Sequence, residues 1–145
     1  MKHLDECIFC KIVRGEAPAH KVYEDERVLV FMDLFPVTDG HTLIVTKEHF
    51  ENIFEASVES LQAVAASARR VSGAIRRTLA PDGLAVFQLN GEAAGQSVFH
   101  YHMHLLPRET GVSPGFHTQV PGDEQELSAI AERLAAAVAE GESRD

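Results

Sequence analysis

Between Gly95 and Leu106 the chain reads Gly-Gln-Ser-Val-Phe-His-Tyr-His-Met-His-Leu-Leu, so three histidines alternate with bulky apolar residues. Alternation with a period of two belongs to an extended strand with two unlike faces. It predicts one face carrying His100, His102 and His104, and an opposite face where Phe99, Tyr101, Met103 and Leu105 pack on a core. Neighbouring histidines on such a strand stand about 6.5–7 Å apart, and the outer two about 13 Å. Imidazole nitrogens must come within about 2.0–2.1 Å of a zinc ion, which a straight row of three does not readily permit. The row suits a linear reacting group such as a phosphate, with different rings serving different atoms. Gly95-Gln96-Ser97, just before it, offers backbone N–H donors to an anion. The plainer alternative is the polar face of a two-faced strand, a row that binds metals unspecifically.

The rest of the chain supplies a frame for that strand. Ile8, Phe9, Ile12 and Val13 keep a helical stripe over one or two turns, which Glu16-Ala17-Pro18 breaks. Residues 21–24 and 27–33 read as a hairpin turning near Asp25-Glu26, and 42–46 as a further strand with His41 at its entrance. From Ser57 to Leu79, apolar residues recur at three- and four-residue steps, which predicts a long amphipathic helix. Residues 84–89 are expected to pair with the histidine strand, and 111–122, rich in Gly and Pro, to be irregular. A last helix is predicted over 124–140, capped by Asp123 with Glu126 three residues on and ended by Gly141, before a frayed tail at 142–145. The expected fold is α+β, a five-stranded antiparallel sheet with one long and one C-terminal helix. The long helix should cover the face that holds Phe99, Tyr101 and Met103.

Bulk properties narrow the function. The 145 residues suit one domain, 1–145, with its core at about 7–108 and a C-terminal segment at 109–145. Thirteen Lys and Arg against 22 Asp and Glu give a net charge of −9, so no basic footprint favours nucleic acid or an acidic membrane. No apolar run spans a bilayer, and residues 1–6 lack the apolar core of a signal peptide, so the cytoplasm is the expected compartment. Cys7 and Cys10, the two cysteines, are half of a metal site, two buried thiols or a redox pair. His3, His20 and His117 fall outside every motif and are expected at the surface.

The alternating histidines followed by Leu105-Leu106, together with residues 7–13, residues 31–36, residues 40–45 and Asn90, resemble the histidine triad (HIT) family over about residues 7–108. The resemblance implies a hydrolase in which His102 attacks the α-phosphate of a nucleotide conjugate, giving a nucleotidyl-histidine that water then cleaves. His104 would bind the phosphate. Ser97 and Gln96, beside Gly95, would contact the phosphate and help protonate the leaving group. Asp33 would take the ribose hydroxyls, with Asn90 and His41 around the phosphate. Ile8, Phe9, Ile12, Phe31 and Leu34 would line a purine slot, a role as natural for them as core packing. By likeness to uridylyltransferases of the same superfamily, Cys7, Cys10, His49 and His100 would hold a structural zinc, and no metal would serve the chemical step. The resemblance also implies a homodimer whose sheet continues across the two-fold axis. The leading substrate class is purine nucleoside phosphoramidates, AMP or GMP conjugates joined through a P–N bond. Dinucleoside polyphosphates (Ap4A or Ap3A type) are the alternative, and a zinc-stabilised nucleotide-binding module without turnover is a third. Members of the Hint-like branch commonly end in a tail bearing tryptophan, whereas this chain has no Trp and finishes in a charged helix and Glu142-Ser143-Arg144-Asp145, a departure that bears on the leaving group.

Overall fold

The protein is described from a computed structural model that covers residues 2–113 and 115–142. Ile8–Val13 forms helix α1, opened by the Cys7 side chain, which accepts the Cys10 N–H. Strands β1 (Lys21–Glu24) and β2 (Val28–Met32) form the hairpin, whose turn is held by Asp25 Oδ1 accepting from the Arg27 and Val28 amides at 2.8 and 3.0 Å. They are followed by β3 (Thr42–Thr46), α2 (Val58–Leu79), β4 (Gly83–Phe87), β5 (His102–Arg108) and α3 (Glu124–Glu142). The strands run β1-β2-β3-β5-β4, with every neighbouring pair antiparallel.

Alternation along β2 and β3 feeds two cores, which is why all ten of their residues are buried. Val28, Val30, Met32 and Ile44, with Tyr101 and Leu105, meet Val64, Val71 and Ile75 of α2 and Leu134 and Val138 of α3 on one side of the sheet. Ile75 is 1 % exposed there, so truncating it to Ala should cost about 2–5 kcal/mol. Leu29, Phe31, Leu43 and Val45 face the other side, where Phe9 and Ile12 of α1 cover them. Both long helices therefore occupy one face, and among the described helices the short α1 alone lies on the second. That leaves room for a site. Among the described residues no helix is long and apolar enough to cross a membrane.

Three expectations need correction. The histidine strand starts at His102, because the chain bends over Val98–His100, and Phe99 is 40 % exposed instead of joining Tyr101 and Met103 on the helix-covered face. The bend follows from His100, whose ring turns into a buried cluster and donates Nε2–H to the Thr46 carbonyl at 2.6 Å. Gly141 lies inside α3 and does not end it. A Cβ there would stand 2.7 Å from Arg77 Nη2, the atom that donates to the Ala137 carbonyl, so this glycine makes room for a side chain of the neighbouring helix. The pairing of β4 with β5 is as expected, but β4 stops at Phe87, and Gln88 and Leu89 leave the sheet. Of the tail expected to fray, residues 143–145 lie outside the described residues.

Candidate active site and metal centre

Backbone groups fix the proton on each ring of the triad and so decide what each ring can do. The Nδ1–H of His102 donates to the His100 carbonyl at 2.7 Å, which leaves Nε2 as the lone-pair nitrogen. The Val37 amide donates to His41 Nδ1 at 3.1 Å, so His41 carries its proton on Nε2 and donates it to His104 Nδ1 at 2.9 Å. His104 must then carry its own proton on Nε2. One ring offers a nucleophile and the next offers a donor. Their centroids are 5.1 Å apart.

Burial keeps this array neutral. It pushes His41 down to about 4 and His104 to about 3, and lowers His102 as well, with neighbouring imidazoles adding to the effect. The His41 approach to Asp33 Oδ2 at 3.5 Å is therefore not an ion pair at neutral pH. Asp33 accepts the Phe35 amide at 2.9 Å, while burial raises its carboxyl.

Around these rings lies a cavity of about 240 Å³. Ile8, Phe9, Ile12, Phe31, Leu34 and Leu43 supply an apolar wall, and Asp33, His41, Gly95, Gln96, Ser97, His102 and His104 supply the polar groups. Phe9 meets the His102 ring edge to face at 5.0 Å, and Phe87 stacks on His104 at 4.4 Å. The loop before the bend contains a single 3₁₀ turn, Glu92–Ala94, and reverses at Gly95 with φ +101°, a conformation that favours glycine.

Two expected site residues are committed elsewhere. Gln96 lines the cavity, yet its side chain accepts from Gly91 N at 2.7 Å and donates to the carbonyls of Glu51 (2.7 Å) and Val98 (3.1 Å), so it braces the loop. Asn90 is not among the lining residues; it accepts from the Ile53 amide at 2.8 Å and pairs with Gln88. Conversely, Phe116, His117 and Thr118 do line the cavity. Sequence reasoning left His117 at the surface, and its side chain is indeed exposed, but on the cavity side; no spacing rule links it to the triad.

Behind His100 sits a second cluster made of Cys7, Cys10, His49 and His100. Cys7 Sγ lies 3.2 Å from His100 Nδ1, Cys10 Sγ lies 3.4 Å from His49 Nδ1 and 3.5 Å from His100 Nδ1, and the two imidazole nitrogens are 3.2 Å apart. A zinc tetrahedron with sulfur at about 2.3 Å and nitrogen at about 2.0–2.1 Å has edges of about 3.3–3.8 Å. The donor set fits that shape. Because His100 gives its Nε2 proton to Thr46, its Nδ1 faces the cluster as a lone pair. Burial pushes the Cys10 thiol up and lowers His49 and His100, the latter to about 4, so the imidazoles are already neutral and a cation is what would draw the protons off the thiols. The amides of Leu4 and Cys10 also point at the two sulfurs, each at 3.3 Å.

Comparison with known proteins agrees with this geometry. The chain is 46 % identical over 140 residues to the protein named hit of Bacillus subtilis, covering 90 % of this chain and 96 % of the relative. It is 38 % identical over 105 residues to an adenylylsulfatase of Arabidopsis thaliana, covering 72 % of this chain and 53 % of that protein. Among solved structures, a zinc-bound histidine triad family protein from Mycobacterium smegmatis superposes with a TM-score of 0.85 at 36 % identity, covering 97 % of this chain and 98 % of that one. The model of the HIT domain matches residues 14–111, the stretch that holds all five strands and all three alternating histidines, and the chain belongs to the HIT domain family.

Proposed function

We propose that the protein is a nucleotide hydrolase that works through a nucleotidyl-histidine, with purine nucleoside phosphoramidates as its substrates. The observation that carries this reading is the proton order of the triad. With Nδ1–H held by the His100 carbonyl, His102 presents a neutral Nε2 that can attack phosphorus without first losing a proton. As the bond from His102 to phosphorus forms and the bond to the leaving group breaks, charge grows on the phosphoryl oxygens. The Nε2–H of His104, its ring held by His41 and Phe87, is placed to meet that charge. Water then displaces His102 and the nucleoside monophosphate leaves. The apolar wall takes the base and Asp33 the ribose hydroxyls.

Zinc has a structural part in this reading: Cys7, Cys10, His49 and His100 would hold it as four protein ligands and so would leave no open position for substrate. That the M. smegmatis relative is zinc-bound supports a zinc ion in this reading, and the cluster of Cys7, Cys10, His49 and His100 is our candidate for its ligands. We further propose a cytoplasmic homodimer, since β4 forms one edge of the sheet and its Val86 is 50 % exposed. The Arabidopsis adenylylsulfatase favours keeping P–O cleavage in view as the second reading.

The test is His102→Ala, assayed on adenosine 5′-phosphoramidate, with intact-mass detection of a nucleotidyl adduct in acid-quenched wild type. Loss of a covalent step should lower kcat by several powers of ten while nucleotide binding persists. A variant retaining more than about a tenth of the activity would overturn the mechanism.

A further inference from the structure

The strand order lays out the site in sequence across the sheet: the apolar wall on β2 and α1, the reacting histidines on β5, and β4 beyond them. A nucleotide conjugate with its base on the first and its α-phosphate on the second must direct its leaving group toward β4. The chain's own segment after β5 covers that end. Phe116 packs edge to face on Phe87 of β4 at 5.0 Å. Arg108 fastens the segment, with its guanidinium 5.1 Å from the Phe116 ring centre and Nη1–H donated to the Gly115 carbonyl at 2.8 Å.

This packing brings His117 to within 6.4 Å of His104, ring centre to ring centre, and places its Nε2 3.7 Å from where a Cβ on Gly95 would stand. The cavity has no Lys or Arg among its described lining residues, and its one carboxylate, Asp33, belongs to the ribose end. His41, His102 and His104 are buried and committed to the proton order above. Arg108 is spent on the segment itself. His117 alone among these rings is exposed and has no hydrogen bond to another described group.

Resting on the nucleotidyl-histidine step of the proposed reading, and bearing on its P–O alternative and not on the phosphoramidates, we infer that His117 is a substrate-contacting residue which favours an anionic leaving group, such as a sulfate, phosphate or carboxylate, attached to the α-phosphorus. The imidazole needs no covalent part in this. It donates an N–H to the leaving group's oxygen and, when protonated, meets its charge. An uncharged leaving amine gains less from the same contact.

The experiment compares adenosine 5′-phosphosulfate, whose leaving group is sulfate, with adenosine 5′-phosphoramidate, whose leaving group is ammonia. The ratio of kcat/KM for sulfate over amidate is measured in wild type, His117→Ala, His117→Gln and His117→Arg. The ratio should fall roughly tenfold in the Ala and Gln variants and return toward the wild-type value in the Arg variant, as a charge-assisted contact requires. His117 is exposed, so the variants should fold as wild type does, and equal melting temperatures check it. An unchanged ratio in the Ala variant, or an Arg variant no better than Ala, overturns the inference. His102→Ala run alongside separates the two claims: if it keeps turnover, the hydrolase reading fails, whereas loss of turnover with an unmoved His117 ratio defeats only this one.

Discussion

Cys7→Ser offers the cleanest test of the metal centre, because of where Cys7 sits. Cys7 is the N-cap of α1 and accepts the Cys10 amide at 3.3 Å. Serine is itself a preferred N-cap residue, so this substitution keeps the local cap and removes one metal ligand. Cys10→Ser is less clean: Cys10 is fully buried and its sulfur also accepts the Leu4 amide, so the change alters packing and that contact together with the ligand. If zinc is held at about 1,000 times its dissociation constant, occupancy stabilises the fold by about 4 kcal/mol. For a chain of about this size each kcal/mol moves Tm by about 2–4 °C, so removal should lower it by about 8–16 °C. The assay is a thermal melt of wild type and Cys7→Ser with and without a strong chelator, beside metal analysis of protein purified without one. Wild type should contain about one zinc per chain and lose stability on chelation, whereas Cys7→Ser should begin low and ignore the chelator. Turnover per folded molecule should fall less than stability does. Zinc-free wild type whose Tm does not move with chelator would refute the reasoning and leave two buried thiols.

Ser97→Ala should slow phosphoramidate hydrolysis roughly tenfold more than diadenosine polyphosphate hydrolysis, because an amine leaves badly until protonated, and side-by-side kcat/KM values check it. Acid should unfold the protein earlier than carboxylates alone would require. His41 and His104 are held neutral down to about 4 and 3, whereas the unfolded chain protonates them near 6.5. Their folded values are depressed, so their stability is complete above about pH 6.5 and drains as pH falls toward 4, by up to about 1.4 kcal/mol per pH unit for each ring. Urea midpoints between pH 7 and 5, taken in chelator so that metal loss does not contribute, measure this; a flat midpoint would contradict it. Val86→Lys on the exposed edge strand should shift sedimentation from dimer toward the 15.9 kDa monomer without lowering the monomer's helix content.

Regular periodicity made most of the frame legible. The stripe from Val58 to Leu79 and the alternation in β2 and β3 each declare a buried side, and these elements lie within a residue or two of where they were expected. His102 and His104 were legible for the same reason. What the sequence could not convey was competition for a side chain. His100 has the right spacing for the strand, but Cys7, Cys10, His49 and the Thr46 carbonyl claim its ring, and the chain bends to deliver it. Gln96 likewise reads as a free polar group until three backbone partners take it. His117 has no local pattern; only the packing of Phe116 on Phe87, across a long irregular segment, brings it to the cavity. The four candidate metal ligands come from three distant stretches, and resemblance, not spacing, joined them.

His100 serves two masters through different atoms. Its ring belongs to the cysteine cluster, while its carbonyl oxygen holds the Nδ1–H of His102. A peptide oxygen has no codon of its own, so no substitution at position 100 deletes this acceptor; it can only displace it. The side chain at 100 is in that sense negotiable, and what the chemistry demands is the course of the main chain over three residues. A descendant could surrender both cysteines, provided some other packing pinned that one carbonyl. The same logic marks the route by which an inactive descendant would arise with its triad intact: a shift in the Thr46 contact would turn the His102 ring while every histidine stayed in the sequence.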